Sequence, residues 1–514
     1  MTNALQQDIT PEHHVRKRPV NPGGLWIIDS VTPTDPASLY AAFVARDRRF
    51  DGRFLVGVTS TGIYCRPVCK VRTPRAANCR FFPHAAAAEA GGFRPCLRCR
   101  PELAPGLSAI DSPSRLAWAA ARRIEAGALD ESGLAGLAAH LGITDRHLRR
   151  VFGEAFGVSP IDYAQTQRLL LAKRLLADTT LPVTEVALTA GFGSLRRFNT
   201  LFRARYGLTP STLRRGADRD QAPGDGGLRF ELAFRPPFDW DGLLAFLSAR
   251  CVAGVEEVTA GEYRRTLRLD SGGDAPPNGW LTVTLAPAAR HAVALTVSPG
   301  LQRALPAVLA GVGRLCDLSC DPQAVAQGLG PLAASAPGLR VPGAIDGFEV
   351  AVRAVLGQQV SVKAAHTLAG RVVEAFGEPV TTPFTALHQL FPTPARLAQL
   401  DPTALAALGI VRSRAHTLVT LARAVATGEL DLGPCADVDA TLARLQALPG
   451  IGPWTAQYIA LRALGWPDAW PSGDVVLCKV LGGVTRGQAD TLAQAWRPWR
   501  SYATLHLWRS ASSA

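Results

Sequence analysis

Long apolar runs are missing from this sequence. No stretch of twenty residues is continuously apolar, and the first thirty hold no apolar block of signal-peptide length. A membrane-crossing helix needs about 20 predominantly apolar residues, so neither a membrane span nor secretion by a standard signal is expected, and the chain is read as cytoplasmic. Lysine is scarce too, only five of the 55 basic residues. That Arg- and Ala-rich bias is read as a trace of genome base composition rather than of function. Charged residues make up 19% against 47% apolar, which excludes wholesale disorder and allows large cores. At roughly 150 residues per domain, the length of 514 suggests three or four domains.

What is present is placed unevenly. Basic residues outnumber acidic ones by 55 to 42, net +13, which favours a nucleic-acid partner. Residues 40–105 hold 12 basic and 4 acidic groups, and residues 111–216 hold 15 and 9, whereas 217–514 balance at 25 and 25. The excess therefore belongs to the front of the chain. The ten cysteines are as uneven: Cys65, Cys69, Cys79, Cys96 and Cys99 crowd together, while Cys251, Cys316, Cys320, Cys435 and Cys478 are scattered. Scattered cysteines are expected to be buried reduced thiols. The front cluster reads C-x3-C, a gap of 26 residues, then C-x2-C. Two close pairs suit a tetrahedral Zn2+ site of Cys65, Cys69, Cys96 and Cys99. Cys79 fits neither pair.

Composition and periodicity divide the chain. Residues 1–38 are a polar, Pro-containing lead-in, and 39–105 mix short strand-like runs (FLVGV, 54–58) with turns, as in a small metal-stapled α/β module. Residues 111–216 carry apolar residues at helical spacing, and 217–227 have a linker's composition. Strands are expected at 228–235, 264–270, 280–286 and 291–297, with a helix near 241–250, and helices dominate from about 300 onward. The fold class is thus multidomain α+β: the small zinc-stapled α/β module, an all-α segment, an α+β domain over 228–340 with an antiparallel sheet and helices, and an all-α domain over 341–514.

One internal repeat stands out. RRVFGEAFGVSP (149–160) and NTLFRARYGLTP (199–210) align at a spacing of 50 residues, each after a Gly-containing turn, with Ala138 and Ala187 four residues before Gly142 and Gly191. A small residue at a helix crossing, a Gly turn and a basic second helix form the helix-turn-helix pattern, here twice. Residues 111–216 resemble the DNA-binding domain of AraC-type transcription activators, including both G-x-[ST]-P endings. The resemblance implies that each second helix enters a major groove. Arg146, His147, Arg150, Ser194, Arg196, Arg197 and Asn199 are then candidate contacts, to bases or to phosphates. Taken singly, each is equally a solvated helix face.

Residues 46–102 resemble the N-terminal domain of the Ada methylation-response protein, through TGIYCRPVC at the first Cys pair and FRPCLRC at the second. Spacing alone would favour a structural zinc knuckle and cannot single out one cysteine. The resemblance implies that Cys65 accepts a methyl group from a methylated phosphotriester in DNA, with Cys69, Cys96 and Cys99 as the remaining ligands. A thiolate beside a polyanion loses repulsion on methylation, so transfer would also act as an electrostatic switch for the adjacent helix-turn-helix pair.

LPGIGPWTA (448–456) has a hairpin form whose paired Gly450 and Gly452 let backbone N–H groups approach a phosphate. Alone it indicates only sequence-independent DNA binding. In PSGDVVLCK (471–479) a single Asp474 precedes an apolar helix start, and locally it reads as an N-cap. Residues from about 228 to 514, however, resemble the alkylbase DNA glycosylase AlkA of the helix-hairpin-helix superfamily, through RPPFDWDGLLAFL (235–247), VPGAIDGFEVAVRAVLGQQVSV (341–362), FPTPARLAQLDP (391–402), the hairpin and WRPWRSYATLHLW (496–508). That implies Asp474 as the catalytic carboxylate and Trp454, Tyr458 and Trp508 as the base-pocket lining. Glycosylase-lyases of this kind place a Schiff-base Lys where Trp454 stands, so hydrolysis without strand cleavage is implied. The back half lacks the four clustered cysteines of iron–sulfur relatives. By the same resemblance, Gln359 falls where an apolar residue would wedge into the DNA, and the P-C-H-R site of an alkylguanine transferase is missing, Cys435 not supplying it.

Together these readings give a DNA alkylation-damage protein: a monofunctional glycosylase for 3-methyladenine-type bases fused to a methylphosphotriester sensor and transcription activator. Its partners would be alkylated double-stranded DNA, a promoter operator and RNA polymerase. The alternative is a non-enzymatic regulator with structural zinc and a degenerate glycosylase half kept for DNA binding.

Overall fold

The computed structural model describes residues 35–106, 114–131, 133–215, 227–269, 276–434 and 437–512. Nearly all of the lead-in, the linker up to 226 and Cys435 lie outside the described residues. No helix among those described is long and apolar enough to cross a membrane.

The first module is a four-stranded sheet of β1 (Leu55–Val58), β2 (Ile63–Cys65), β3 (Cys79–Phe82) and β4 (Arg94–Pro95), in the order β3-β1-β2-β4. Its pairings are antiparallel except β2 with β4, where Ile63 faces Arg94 and Tyr64 faces Pro95 in parallel register. That register matters chemically, because one residue further along the two strands stand Cys65 and Cys96. The sheet is too small to bury much; one cluster holds Leu39, Ala42, Phe43, Phe54 and Val56. A metal staple is what such a small core calls for.

The repeat is realised as two helix pairs. Gly133–His140 precedes Asp145–Phe156, Val183–Thr189 precedes Leu195–Tyr206, and the long helix Pro160–Asp178 joins them. Each second helix starts on a hydroxyl cap, Thr144 or Ser194, and stops at a left-handed glycine, Gly157 or Gly207. The buried residues repeat at the same interval: Leu148, Phe152 and Phe156 in one copy, Phe198, Phe202 and Tyr206 in the other. Burying each such side chain contributes about 1.5–3 kcal/mol, so the interval of 50 residues is a packing interval.

The third unit is an antiparallel sheet in the order β5-β9-β8-β7-β6, comprising β5 (Leu228–Ala233), β6 (Glu256–Thr259), β7 (Glu262–Arg268), β8 (Asn278–Leu285) and β9 (Ala292–Val297). Four of these strands match expected ones. β6 was not anticipated, since EEVT shows little apolar alternation; its Glu256 is buried against Arg265 and Arg353 instead. Beyond Gly347 the described residues are mostly helical, with a two-residue pairing of Glu378–Pro379 with Gln389–Leu390 and a bridge of Leu387 to Gly254. The helices Gly347–Leu356, Arg412–Ala426 and Pro453–Arg462 supply the middle of its core.

The modules are packed against one another. Phe198 and Phe202 of the second helix pair belong to the same apolar cluster as Leu281 and Val293 of the sheet. Arg235, 1% exposed, donates to the carbonyls of Asp51 at 3.0 Å, Gly106 at 2.9 Å and Ser319 at 2.8 Å. Lys173 of the long helix meets Glu102 of the first module with both side chains buried, and Arg123 and His140 both reach Asp431.

Candidate metal centre, DNA-facing helices and base pocket

The parallel pairing of β2 and β4 brings the two cysteine pairs together. The Sγ atoms of Cys65, Cys69, Cys96 and Cys99 all lie within 4.8 Å of one another. Tetrahedral Zn–S bonds of about 2.3 Å place sulfurs roughly 3.8 Å apart, so this all-sulfur set fits Zn2+. Cys65, Cys69 and Cys96 are buried and Cys99 is half-buried. The Arg66 N–H donates to Cys99 Sγ at 3.3 Å, and the Arg66 guanidinium pairs with buried Asp51. Cys79 stands apart from the cluster, its thiol directed at the Arg75 carbonyl at 3.5 Å.

On the helix-turn-helix pairs, Arg146, Arg150, Arg196, Arg197 and Asn199 are exposed and His147 is half-buried. Three of the candidate contacts have local partners, the His147 ring nitrogen Nδ1 standing 3.4 Å from Arg150 Nη2. Arg150 donates to Glu154 one turn on, at 3.0 Å, and the Ser194 hydroxyl caps its own helix by accepting from Arg197 N–H. The second helix pair shares a core with the sheet domain and the first packs in a separate cluster, and Arg146, Arg150, Arg196 and Arg197 stay exposed in both cases.

The hairpin Leu448–Gly452 ends where the helix Pro453–Arg462 begins. Gly450 has φ +87°, and a Cβ there would stand 2.0 Å from Thr417 Oγ1. Gly452 has no such crowding; a Cβ there would meet nothing within 4 Å, which leaves its face of the hairpin clear for close approach. Gln358, which the sequence gave no reason to single out, donates to Gly450 O at 2.8 Å and to Thr455 Oγ1 at 3.0 Å. It ties the loop ahead of Val362 to the hairpin. The neighbouring Gln359 is exposed with φ +53°.

Asp474 is an N-cap, as its local sequence suggests, and it also meets two of the candidate pocket aromatics. It caps the helix Val475–Val480, its Oδ1 accepting from Leu477 N–H at 2.9 Å. The same Oδ1 accepts from Trp508 Nε1–H at 3.2 Å, and Oδ2 accepts from Trp454 Nε1–H at 2.9 Å. Trp454 and Tyr458, one turn apart on one helix, stack with centroids 5.4 Å apart and planes 12° from parallel. Trp508 comes from the last helix, its ring 6.2 Å from Tyr458. These residues line a cavity of about 490 Å³ together with His366 and Val360. A pinned carboxylate at the mouth of an aromatic stack can hold a cationic ring and oppose positive charge developing nearby. A second cavity, about 320 Å³, lies between the first module, the helix-turn-helix segment and the sheet. There Glu125 accepts from the Tyr163 hydroxyl at 2.7 Å, but Tyr163 and Phe156 meet edge to face, their planes 66° apart, rather than stacked.

Four family models match in chain order: the metal binding domain of Ada over residues 38–102, a helix-turn-helix domain over 137–216, the AlkA N-terminal domain over 229–346, and the HhH-GPD superfamily base excision DNA repair protein over 352–480. A probable bifunctional transcriptional activator/DNA repair enzyme AlkA of Mycobacterium tuberculosis is 44% identical over 482 residues, covering 91% of this chain and 95% of its own. The chain belongs to this AlkA family of bifunctional activator and repair proteins. Two further relatives resemble its halves. DNA-3-methyladenine glycosylase 2 of Escherichia coli is 42% identical over 54% of this chain and 96% of its own. The bifunctional transcriptional activator/DNA repair enzyme Ada of Escherichia coli is 31% identical over 35% of this chain and 49% of its own.

Membership in the AlkA family fits the order in which metal centre, DNA-facing helices and pocket occur. The residues missed at the sequence level are Gln358 and Thr417, which hold the site without lining its cavity, and Arg462, which does both. Gln358, Thr417 and Arg462 act through backbone carbonyls or hydroxyls of distant segments, and such partners leave no local pattern.

Proposed function

We propose that this chain answers DNA alkylation damage with two chemistries. Its back half is a monofunctional glycosylase that hydrolyses the N-glycosidic bond of 3-methyladenine-type bases. Its front half senses methylphosphotriesters and activates transcription, working through double-stranded DNA and RNA polymerase. The observation that carries the reading is the seat of Asp474, held at both oxygens by indole N–H groups beside a stacked Trp454–Tyr458 pair.

In the glycosylase, Gly450 and Gly452 hold the phosphate backbone and Gln359 fills the space left by the base, which must leave the stack before it can react. Trp454, Tyr458 and Trp508 receive the cationic ring through their faces. As the C1′–N bond breaks, its electron pair leaves with the base and the sugar gains oxocarbenium character. The Asp474 carboxylate stabilises that charge and orients the water that adds at C1′. Trp454 stands where a lyase would need an amine, so the strand stays uncut.

In the sensor, Cys65, Cys69, Cys96 and Cys99 would hold Zn2+, which when bound keeps thiols deprotonated yet nucleophilic at neutral pH. Cys65 Sγ forms a bond to the methyl carbon as the methyl–oxygen bond of the phosphotriester breaks, and the electron pair stays on the phosphate. The sulfur set loses one negative charge, which strengthens contact of Arg66, Arg72, Arg94 and Arg98 with DNA. Arg146, His147, Arg150, Arg196, Arg197 and Asn199 read the operator.

The test is incubation of methylated duplex with the wild-type chain and with Asp474→Asn. Free alkylated base with an uncut strand is expected from the wild type alone. Equal release from both overturns the enzymatic reading. For the sensor, mass spectrometry after exposure to methylphosphotriester DNA should find one added methyl on Cys65, and an unmodified Cys65 overturns that role.

A further inference from the structure

Two measures inside the back half show where the front modules sit relative to the hairpin. The hairpin joins the helices Val438–Ala447 and Pro453–Arg462 at one end. The front docks at the other end of both. Arg123 donates to Pro434 O at 3.0 Å, just ahead of the first helix, and shares Asp431 with His140. Arg115 covers the Trp466 ring at 4.1 Å, just past the second helix, where Trp466 N–H donates to Ala460 O. At 1.5 Å per residue, the ten residues of Pro453–Arg462 span about 15 Å. The docking contacts therefore stand most of a helix length behind Gly450 and Gly452.

The antiparallel sheet gives the second measure. Its edge strand β5 takes the front: Arg174 of the long helix donates to Glu231 O at 2.6 Å. Its opposite edge, β6, takes the all-α domain, through Glu256 and Arg353 at 2.6 Å. Four inter-strand spacings of about 4.8 Å put roughly 19 Å between the two edges. Arg250 and Val252, which line the base cavity, lie just ahead of β6. Both measures place the front on the side of the back half remote from its pocket and hairpin. In this one arrangement Arg146, Arg150, Arg196 and Arg197 are exposed, and so are Gln359 and Gly452.

We propose that one chain holds two separate duplexes at once, an operator on the front and a damaged segment in the back, and so bridges DNA. The inference rests on both halves of the reading above. Surfaces that shared one footprint, or that docking covered, would compete for DNA; these are turned away from each other and open together. The division of charge suits the arrangement. The basic surplus of the front supports salt-sensitive phosphate contact, whereas the back balances at 25 basic and 25 acidic residues and relies on its hairpin and wedge. A chain seated at its operator then keeps a free glycosylase for neighbouring DNA, at an effective concentration set by the intervening duplex.

The experiment uses the full chain and three short duplexes: one enriched from a random-sequence pool by binding to the chain, a scrambled version of it, and one of unrelated sequence with a single 7-methylguanine. Release of 7-methylguanine is followed with the chain in excess of, but not saturating, the damaged duplex. Either undamaged duplex is then added at about 100 times the Kd of the enriched one; mutually exclusive binding makes release about 100-fold slower with the enriched than with the scrambled duplex, and two separate sites keep the two rates within about threefold. Sedimentation of the Asp474→Asn chain with enriched and damaged duplexes carrying different dyes should find both dyes on a single chain. Slowing by the enriched duplex beyond threefold overturns the proposal, as do complexes that carry both dyes only with two chains or never carry both. Failure to enrich any sequence overturns it through the activator reading, and absence of 7-methylguanine release through the glycosylase reading, so the three failures are told apart.

Discussion

Replacing Asp474 by Asn separates the two things this side chain does. Asn is about as good an N-cap as Asp, so the bond from Leu477 N–H should survive, and the same oxygen can keep Trp508 Nε1–H. The other branch becomes an NH2 group facing Trp454 Nε1–H, where Oδ2 accepts at 2.9 Å in the wild type. A buried donor set against a donor costs about 1–3 kcal/mol, which a chain with cores of this size can absorb. The lost charge matters more to rate. Two unit charges about 4 Å apart at an effective dielectric constant of about 20 interact by about 4 kcal/mol, which is roughly a thousandfold in rate. The expected variant is therefore folded, binds damaged duplex, and releases 7-methylguanine about a thousandfold more slowly in a single-turnover assay. Circular dichroism and duplex binding serve as controls. A folded variant within tenfold of the wild-type rate would refute the assignment of Asp474 to the developing charge. Asp474→Ala should cost about a further 1 kcal/mol of stability, because the cap goes too.

Three other outcomes are expected. Alanine at Cys65, Cys69, Cys96 or Cys99 should lower zinc per chain after a chelator challenge, whereas Cys79→Ala should not; equal loss at Cys79 contradicts the four-sulfur site. Gly450→Ala should destabilise the back half by about 1–3 kcal/mol, given its positive φ and the Thr417 hydroxyl in the path of a Cβ. Gly452→Ala should stay within about 0.5 kcal/mol yet weaken duplex binding, and matched denaturation midpoints would refute the distinction. Burial pushes the Glu89 carboxyl up to about 7 despite Arg205, Thr166 and Tyr64 beside it. Its folded value lies above its unfolded one, so its stabilising contribution is full below about pH 4.5 and is lost as pH rises through about 7. Glu89→Gln should remove up to about 3 kcal/mol of that decline between pH 5 and 8 in denaturant titrations, and parallel pH profiles would contradict it.

Trp454, Tyr458 and Trp508 were joined only by the resemblance, although the first two stand four residues apart and so share a helix face. Trp508 lies on another helix. Asp474 was ambiguous between cap and reactive carboxylate; the structure shows the cap, made by one oxygen, and leaves the other oxygen on Trp454 Nε1–H, as the proposed reactive role needs. Arg462 offered no signal at all: its partners are two carbonyls and a phenol that the tertiary fold brings within reach.

The residues alone determined what depends on near neighbours: the helix-turn-helix repeat with its caps and left-handed glycines, the cysteine spacing, the hairpin, and the placement of all net positive charge in the front of the chain. Each follows from backbone geometry or from summed charge over a short window. Only the tertiary structure decided that the charged front and the neutral back are packed together, with Arg235 bonded to Asp51 and Phe198 sharing a core with Leu281. It also decided that Arg462 reaches the Tyr458 hydroxyl. Contacts of this kind join segments tens to hundreds of residues apart, and a buried guanidinium satisfied by carbonyl oxygens carries no sequence signature, because every residue supplies a carbonyl.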